Sequence, residues 1–169
     1  ARSLCPQAIF IPGRYHHYQE YSDKFMAILA QYSPDLEPMG IDEAYLDMTG
    51  FELLYGPPAG VAQEIRDKVR NRLNITVSVG IASCKVAAKV ASDACKPDGL
   101  LEVPPGEDRA FLAPLPIGQL PGAGGKTGQA LRAIGVRTIG ELAAASPTLV
   151  RRTLGAWGDL LHMFANGND

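Results

Sequence analysis

The chain has 169 residues, 46% of them hydrophobic, which is enough to bury a core and too much for wholesale disorder. Sixteen Lys and Arg stand against 18 Asp and Glu, a formal charge of −2, so the bulk composition lacks the basic excess that marks most nucleic-acid binders. No apolar run reaches the about 18 residues of a membrane span, and no basic start leads into an apolar stretch as in a signal peptide.

Taken in order, Tyr15 to Ser33 carries Tyr18, Tyr21, Phe25, Ile28, Leu29 and Tyr32 at helical spacing, and Ser33-Pro34 ends the run. Leu36 to Asp47 reads as two short extended pieces with a turn near Gly40. After Pro57-Pro58, the spacing of Val61, Ile65, Val69 and Leu73 predicts a second amphipathic helix over residues 59–73. Residues 75–81 are β-branched and alternating, and predict a strand. Ser83 is expected to cap a third helix reaching about Ala94. Lys96-Pro97-Asp98-Gly99 is a turn and Leu100 to Val103 a further strand. Beyond Pro104-Pro105-Gly106 strand signals stop. Short helical patterns follow around Phe111, Ala130–Ile134, Ile139–Ala145, Leu149–Leu154 and Leu160–Ala165. The expected fold is α+β, a layered helix-and-sheet domain over residues 1–105 followed by a small all-α domain over 106–169.

Three cysteines, Cys5, Cys84 and Cys95, include no CxxC pair, which argues against a disulfide scaffold or a cysteine-built zinc site and for a reduced, cytoplasmic setting. The adjacent His16 and His17 would face different sides of a helix and read as a surface pair.

Two places concentrate chemistry. Gly40-Ile41-Asp42-Glu43-Ala44-Tyr45-Leu46-Asp47 holds three carboxylates in six residues. On a regular strand Asp42 and Glu43 would face opposite ways, but at a turn after Gly40 both can converge. Clustered carboxylates repel unless a cation neutralises them, and hard oxygen donors select Mg²⁺. On spacing alone a solvated acidic turn is the plainer reading. The second place is Leu120-Pro121-Gly122-Ala123-Gly124-Gly125-Lys126-Thr127, ahead of a helical run. Thr127 is expected to cap that helix, its free N–H groups form an anion site, and Lys126 adds charge. A DNA phosphate suits such a site without any base being read. By itself, a glycine-rich loop before a helix is weak evidence.

Gly40 to Asp47 resembles the signature hairpin of the Y-family (translesion) DNA polymerases. A second block, Val79-Gly80-Ile81-Ala82 through Lys85, Lys89 and Lys96-Pro97-Asp98-Gly99, looks like that family's strand, helix and "KPNG" turn. A third, Leu120 to Gly124 with Thr138-Ile139-Gly140-Glu141-Leu142, looks like its helix-hairpin-helix thumb. The likeness is greatest to the DinB branch and covers nearly the whole chain. Gly40 departs from the family's usual serine, and Cys84 from its common asparagine.

The resemblance implies roles. Asp42 matches a metal-binding aspartate and Glu43 the neighbouring catalytic glutamate of a two-Mg²⁺ site. Lys96 matches the lysine that reaches the triphosphate of the incoming dNTP. Gly122, Gly124, Lys126 and Thr127 match the backbone-binding hairpin that holds primer-template DNA. Lys85 and Lys89 could support nucleotide or DNA, or be surface lysines, and the same choice stands for Arg151 and Arg152. Asp47 is expected to stabilise the hairpin. A sliding clamp is a partner implied for the full-length protein, and a membrane is not.

Family members also carry a first metal-binding aspartate, a steric-gate aromatic and a fingers subdomain ahead of the stretch matched here, and a little-finger domain after it. None of these is recognisable in the chain, so the expectation is part of a palm plus a thumb, without polymerase activity alone. Two other readings compete: a non-enzymatic helix-hairpin-helix DNA-binding module, and another palm-type enzyme such as a nucleotide cyclase, against which the thumb argues. The charge also divides. Residues 1–105 hold 10 basic and 13 acidic side chains, net −3, whereas 106–169 hold 6 and 5, net +1.

Overall fold

The computed structural model describes residues 2–169. Their contacts form two compact units, one ending at Met48 and one running Thr49–Asp169.

The first unit holds α1 (Tyr15–Leu29) and an antiparallel hairpin of β1 (Leu36–Pro38) and β2 (Ala44–Leu46). The helix is shorter than the apolar pattern predicts. Gln31 and Tyr32 donate to Ile28 and Leu29, three residues back, so the chain tightens out of the α-form before Ser33-Pro34. Ile28, Leu29 and Tyr32 are buried, while Tyr18, at the other end of the same stripe, is half exposed. In the hairpin Leu36 faces Leu46, Glu37 faces Tyr45 and Pro38 faces Ala44.

The second unit begins with a short helix the sequence did not announce, α2 (Glu52–Tyr55), and then α3 (Pro58–Leu73). Pro58 opens α3 where no N–H is needed, and Asn74 closes it in the left-handed conformation at φ +55°. Val61, Ile65, Val69 and Leu73 are buried, as their four-residue spacing predicts.

β3 (Val79–Ile81), α4 (Lys85–Ala94) and β4 (Leu100–Glu102) make a parallel β-α-β unit, with α3 and α4 both packed on its sheet. The strand predicted over 75–81 is paired only at its last three residues, because β4 offers just three partners. Gly80 is dictated by α4. A Cβ there would lie 2.0 Å from the Ala88 carbonyl oxygen, so only glycine lets the helix backbone cross β3 this closely.

The cap of α4 is not Ser83 but Cys84, whose Sγ accepts from the Ala87 N–H at 3.4 Å. Ser83 is diverted because its own N–H donates to the buried Asp108 carboxylate at 2.9 Å.

After residue 105 the chain is helical: α5 (Asp108–Leu112), a 3₁₀ turn (Ile117–Gln119), α6 (Gly125–Ala133), α7 (Ile139–Ala144), α8 (Pro147–Leu154) and α9 (Ala156–Ala165). These helices share one core with α4: Val86, Ala87 and Val90 join Leu112, Ile117, Leu120, Leu131, Ile139, Leu142, Val150 and Leu161. The compact units therefore divide at Met48, and the Pro104–Gly106 turn lies within the second unit, because the apolar face of α4 is completed by residues from beyond it.

Candidate functional site

The acidic hairpin folds so that its turn carries the carboxylates. β1 and β2 pair as far as Pro38 and Ala44, and the Met39 N–H then donates to the Glu43 carbonyl at 2.9 Å. This closes a loop over residues 39–43. Asp42 and Glu43, consecutive in the chain just before β2, are both exposed. A Cβ at Gly40 would sit 3.8 Å from Asp42 Oδ1, an ordinary contact, so a side chain such as serine would fit there too. Asp47 closes the other end of the hairpin through its backbone, its N–H donating to the Asp35 carbonyl at 3.0 Å. Among the described residues no group of three or more His, Cys, Asp or Glu side chains is placed to hold a metal ion.

Lys96 lies in the second unit, in the turn between α4 and β4, and the Lys96–Pro97 peptide is cis. Its ammonium is 2.6 Å from Asp93 Oδ1, and Lys89 approaches the other oxygen of the same carboxylate at 3.5 Å. Partial burial would raise the Asp93 pKa, but the hydrogen bonds and charges of Lys96 and Lys89 outweigh it and hold the carboxyl below its ordinary value. Asp93 was not singled out from the sequence, although its spacing to Lys89 and Lys96, four and three residues, was a usable signal.

The glycine hairpin sits at the start of α6. Leu120 and Ala123 are buried, and Gly122 turns the chain at φ +84°. The Trp157 indole N–H donates to the Gly122 carbonyl at 3.2 Å, and a Cβ on Gly122 would fall 2.4 Å from the Trp157 ring. Trp157 therefore braces the hairpin, a contact across 35 residues that no local pattern foretells. Gly124, without a side chain, is the N-cap of α6, so the expected cap by Thr127 is corrected: Thr127 lies inside the first turn, because the helix begins two residues earlier, at Gly125. Gly124 and Lys126 are exposed and Thr127 is half-buried. α7 follows behind a capping box in which Thr138 Oγ1 accepts from the Glu141 N–H and Glu141 accepts from the Thr138 N–H. Arg151 pairs with Asp159 at 3.2 Å on the surface.

This succession of a carboxylate-bearing hairpin, a β-α-β unit ending in a lysine turn and a glycine hairpin before a helix matches known proteins. The chain belongs to the impB/mucB/samB family of Y-family DNA polymerases, which matches it over residues 1–93. It is 51% identical over all its 169 residues to DNA polymerase IV of Dehalococcoides mccartyi strain CBDB1, of which it covers 43%. Among solved structures, DinB from Sulfolobus solfataricus superposes with a TM-score of 0.86 at 29% identity, over 98% of this chain and 49% of that one. The insertion ternary complex of Dbh DNA polymerase superposes with a TM-score of 0.85 at 28% identity, again over 49% of that chain. The chain thus spans about half the length of the proteins it matches, or less. Among the described residues no helix is long and apolar enough to cross a membrane.

Proposed function

We propose that the chain carries part of a template-directed translesion DNA polymerase, with residues 1–105 as a partial palm and 106–169 as a helix-hairpin-helix thumb. The observation that carries this reading is the hairpin turn that leaves the consecutive residues Asp42 and Glu43 both exposed to solvent. Their donor chemistry suits Mg²⁺, and in the whole protein these two carboxylates would hold it. A divalent ion bound there would stabilise charge on the attacking 3′-hydroxyl and the leaving pyrophosphate. Lys96 would neutralise the triphosphate of the incoming dNTP, as a compact ammonium does well. The backbone around Gly122, Gly124, Lys126 and Thr127 would take a phosphate of the primer-template duplex, positioning it without reading sequence. The setting is cytoplasmic, and a sliding clamp would be a partner of the full-length protein.

The test is primer extension with Mg²⁺ and dNTPs. The isolated chain is expected to give none, and robust extension by it would overturn that part of the reading. In the full-length protein, Asp42→Ala and Glu43→Ala are each expected to lower extension by about 10³-fold or more, and Asp42→Ala to do so without lowering the melting temperature, since its side chain is exposed. Near-normal extension by either would remove these residues from the chemistry.

The glycine hairpin at Gly122 and Gly124 and the exposed Lys126 ahead of α6 favour a second reading, a non-enzymatic DNA-binding module. Salt-dependent duplex binding that survives both substitutions, with no nucleotide binding, would support it.

A further inference from the structure

Arg66, Arg70 and Asp98 have no role in the proposed chemistry, yet they tie α3 to the turn that bears Lys96. Arg66 projects from the middle of α3 with its side chain only 12% exposed. Its guanidinium donates to the Asp98 carbonyl oxygen and, at 3.1 Å, to Asp98 Oδ1. It also donates to Gln63 Oε1 at 2.6 Å, which fixes its plane. Arg70, one helical turn on, donates to Asp98 Oδ2. On the other flank the Gly99 N–H donates to Ser78 Oγ at 3.2 Å, and the Val79 N–H to the Gly99 carbonyl at 3.0 Å. The turn is therefore gripped from both sides. Asp98 itself stands at φ +50°, a left-handed conformation that few residues with a Cβ adopt and Asp tolerates better than most. The arginines hold it from a helix whose Val61, Ile65 and Val69 are buried in the unit.

We propose that Arg66 and Arg70 are positioning residues for Lys96: by gripping Asp98 they fix the Lys96–Gly99 turn on α3 and so present the Lys96 ammonium to a nucleotide triphosphate. The inference rests on the reading of Lys96 given above. Two physical effects support it. A lysine side chain has four rotatable bonds, and a fixed backbone origin confines where its charge can go. In addition, an unpaired Asp98 carboxylate two residues from Lys96 would repel a triphosphate, and two guanidiniums remove that repulsion.

The experiment is a calorimetric titration of the chain with Mg²⁺-dCTP in four forms: wild type, Asp98→Gly, Lys96→Ala and the double variant. Glycine accepts φ +50° without strain, so Asp98→Gly removes the carboxylate bonds to Arg66 and Arg70, leaves only the Arg66 bond to the carbonyl of residue 98, and spares the backbone. Asp98→Gly and Lys96→Ala are each expected to weaken binding about tenfold. The double variant is expected to bind no more weakly than Lys96→Ala alone, because positioning has no effect once the positioned group is gone. Hydrogen exchange at the Gly99 amide is expected to quicken about tenfold in Asp98→Gly, with the Val69 amide of α3 unchanged. Unaltered binding or Gly99 exchange in Asp98→Gly, or an equal loss in both Lys96 backgrounds, would overturn the proposal. Wild-type binding too weak to detect, or unchanged binding in Lys96→Ala, would instead defeat the reading of Lys96, and the proposal with it. If Asp98→Gly does not fold, Arg70→Gln, on the exposed side of α3, takes its place in the same cycle.

Discussion

Gly122 and Trp157 show how much of the site depends on single atoms. The glycine has a positive φ, and the ring of Trp157 occupies the space a Cβ would need. Gly122→Ala is expected to destabilise the second unit by about 2 kcal/mol and to shift the emission of Trp157, the one tryptophan in the chain. Chemical denaturation read by fluorescence measures both, and unchanged stability would mean that the ring yields freely. The hairpin turn near Gly40 was legible in advance, because a glycine between two short extended pieces marks where the pairing stops. Trp157 and the Arg66–Asp98 pair were not legible, since their partners lie 35 and 32 residues away and only the folded chain brings them together.

At the scale of elements, apolar spacing located nearly every helix, because a buried face repeats whatever it packs against. It located ends less well, since ends are set by single hydrogen bonds. Asp108 captures the Ser83 N–H and leaves the cap to Cys84, and the length of β4 fixes how much of residues 75–81 is paired. The close crossing of α4 over β3 leads to a firm expectation. Gly80→Ala would set a Cβ against the Ala88 carbonyl and the Ser92 N–H, both backbone, so α4 must lift, at a cost of about 3 kcal/mol or more in urea denaturation. The α7 cap gives a pH-dependent one. The Arg137 and Thr138 N–H groups, donating to Glu141, hold its carboxyl below the ordinary value. A lowered folded pKa contributes stability above the ordinary carboxylate range, and that contribution fades as the pH falls through the lowered value. The stability difference between wild type and Glu141→Gln is therefore expected at neutral pH and to vanish in acid. A difference that grows on acidification would contradict the cap's charge being the cause.

At the scale of the molecule, one buried cluster runs from α4 through α9. Leu131 is fully buried within it, so Leu131→Ala is expected to cost about 3 kcal/mol and to shift the unfolding of residues 49–169 as one transition. Separate transitions on either side of residue 105, tracked by hydrogen exchange, would show two cores instead. The three cysteines are placed unequally with respect to these units. Cys5 in the first unit is exposed, whereas Cys84 and Cys95 in the second are half-buried and bonded to backbone. Burial pushes both of those thiols up, leaving little thiolate at neutral pH. A maleimide dye should therefore attach first at Cys5, giving the first unit a selective reporter while the native cysteines of the β-α-β unit stay in place.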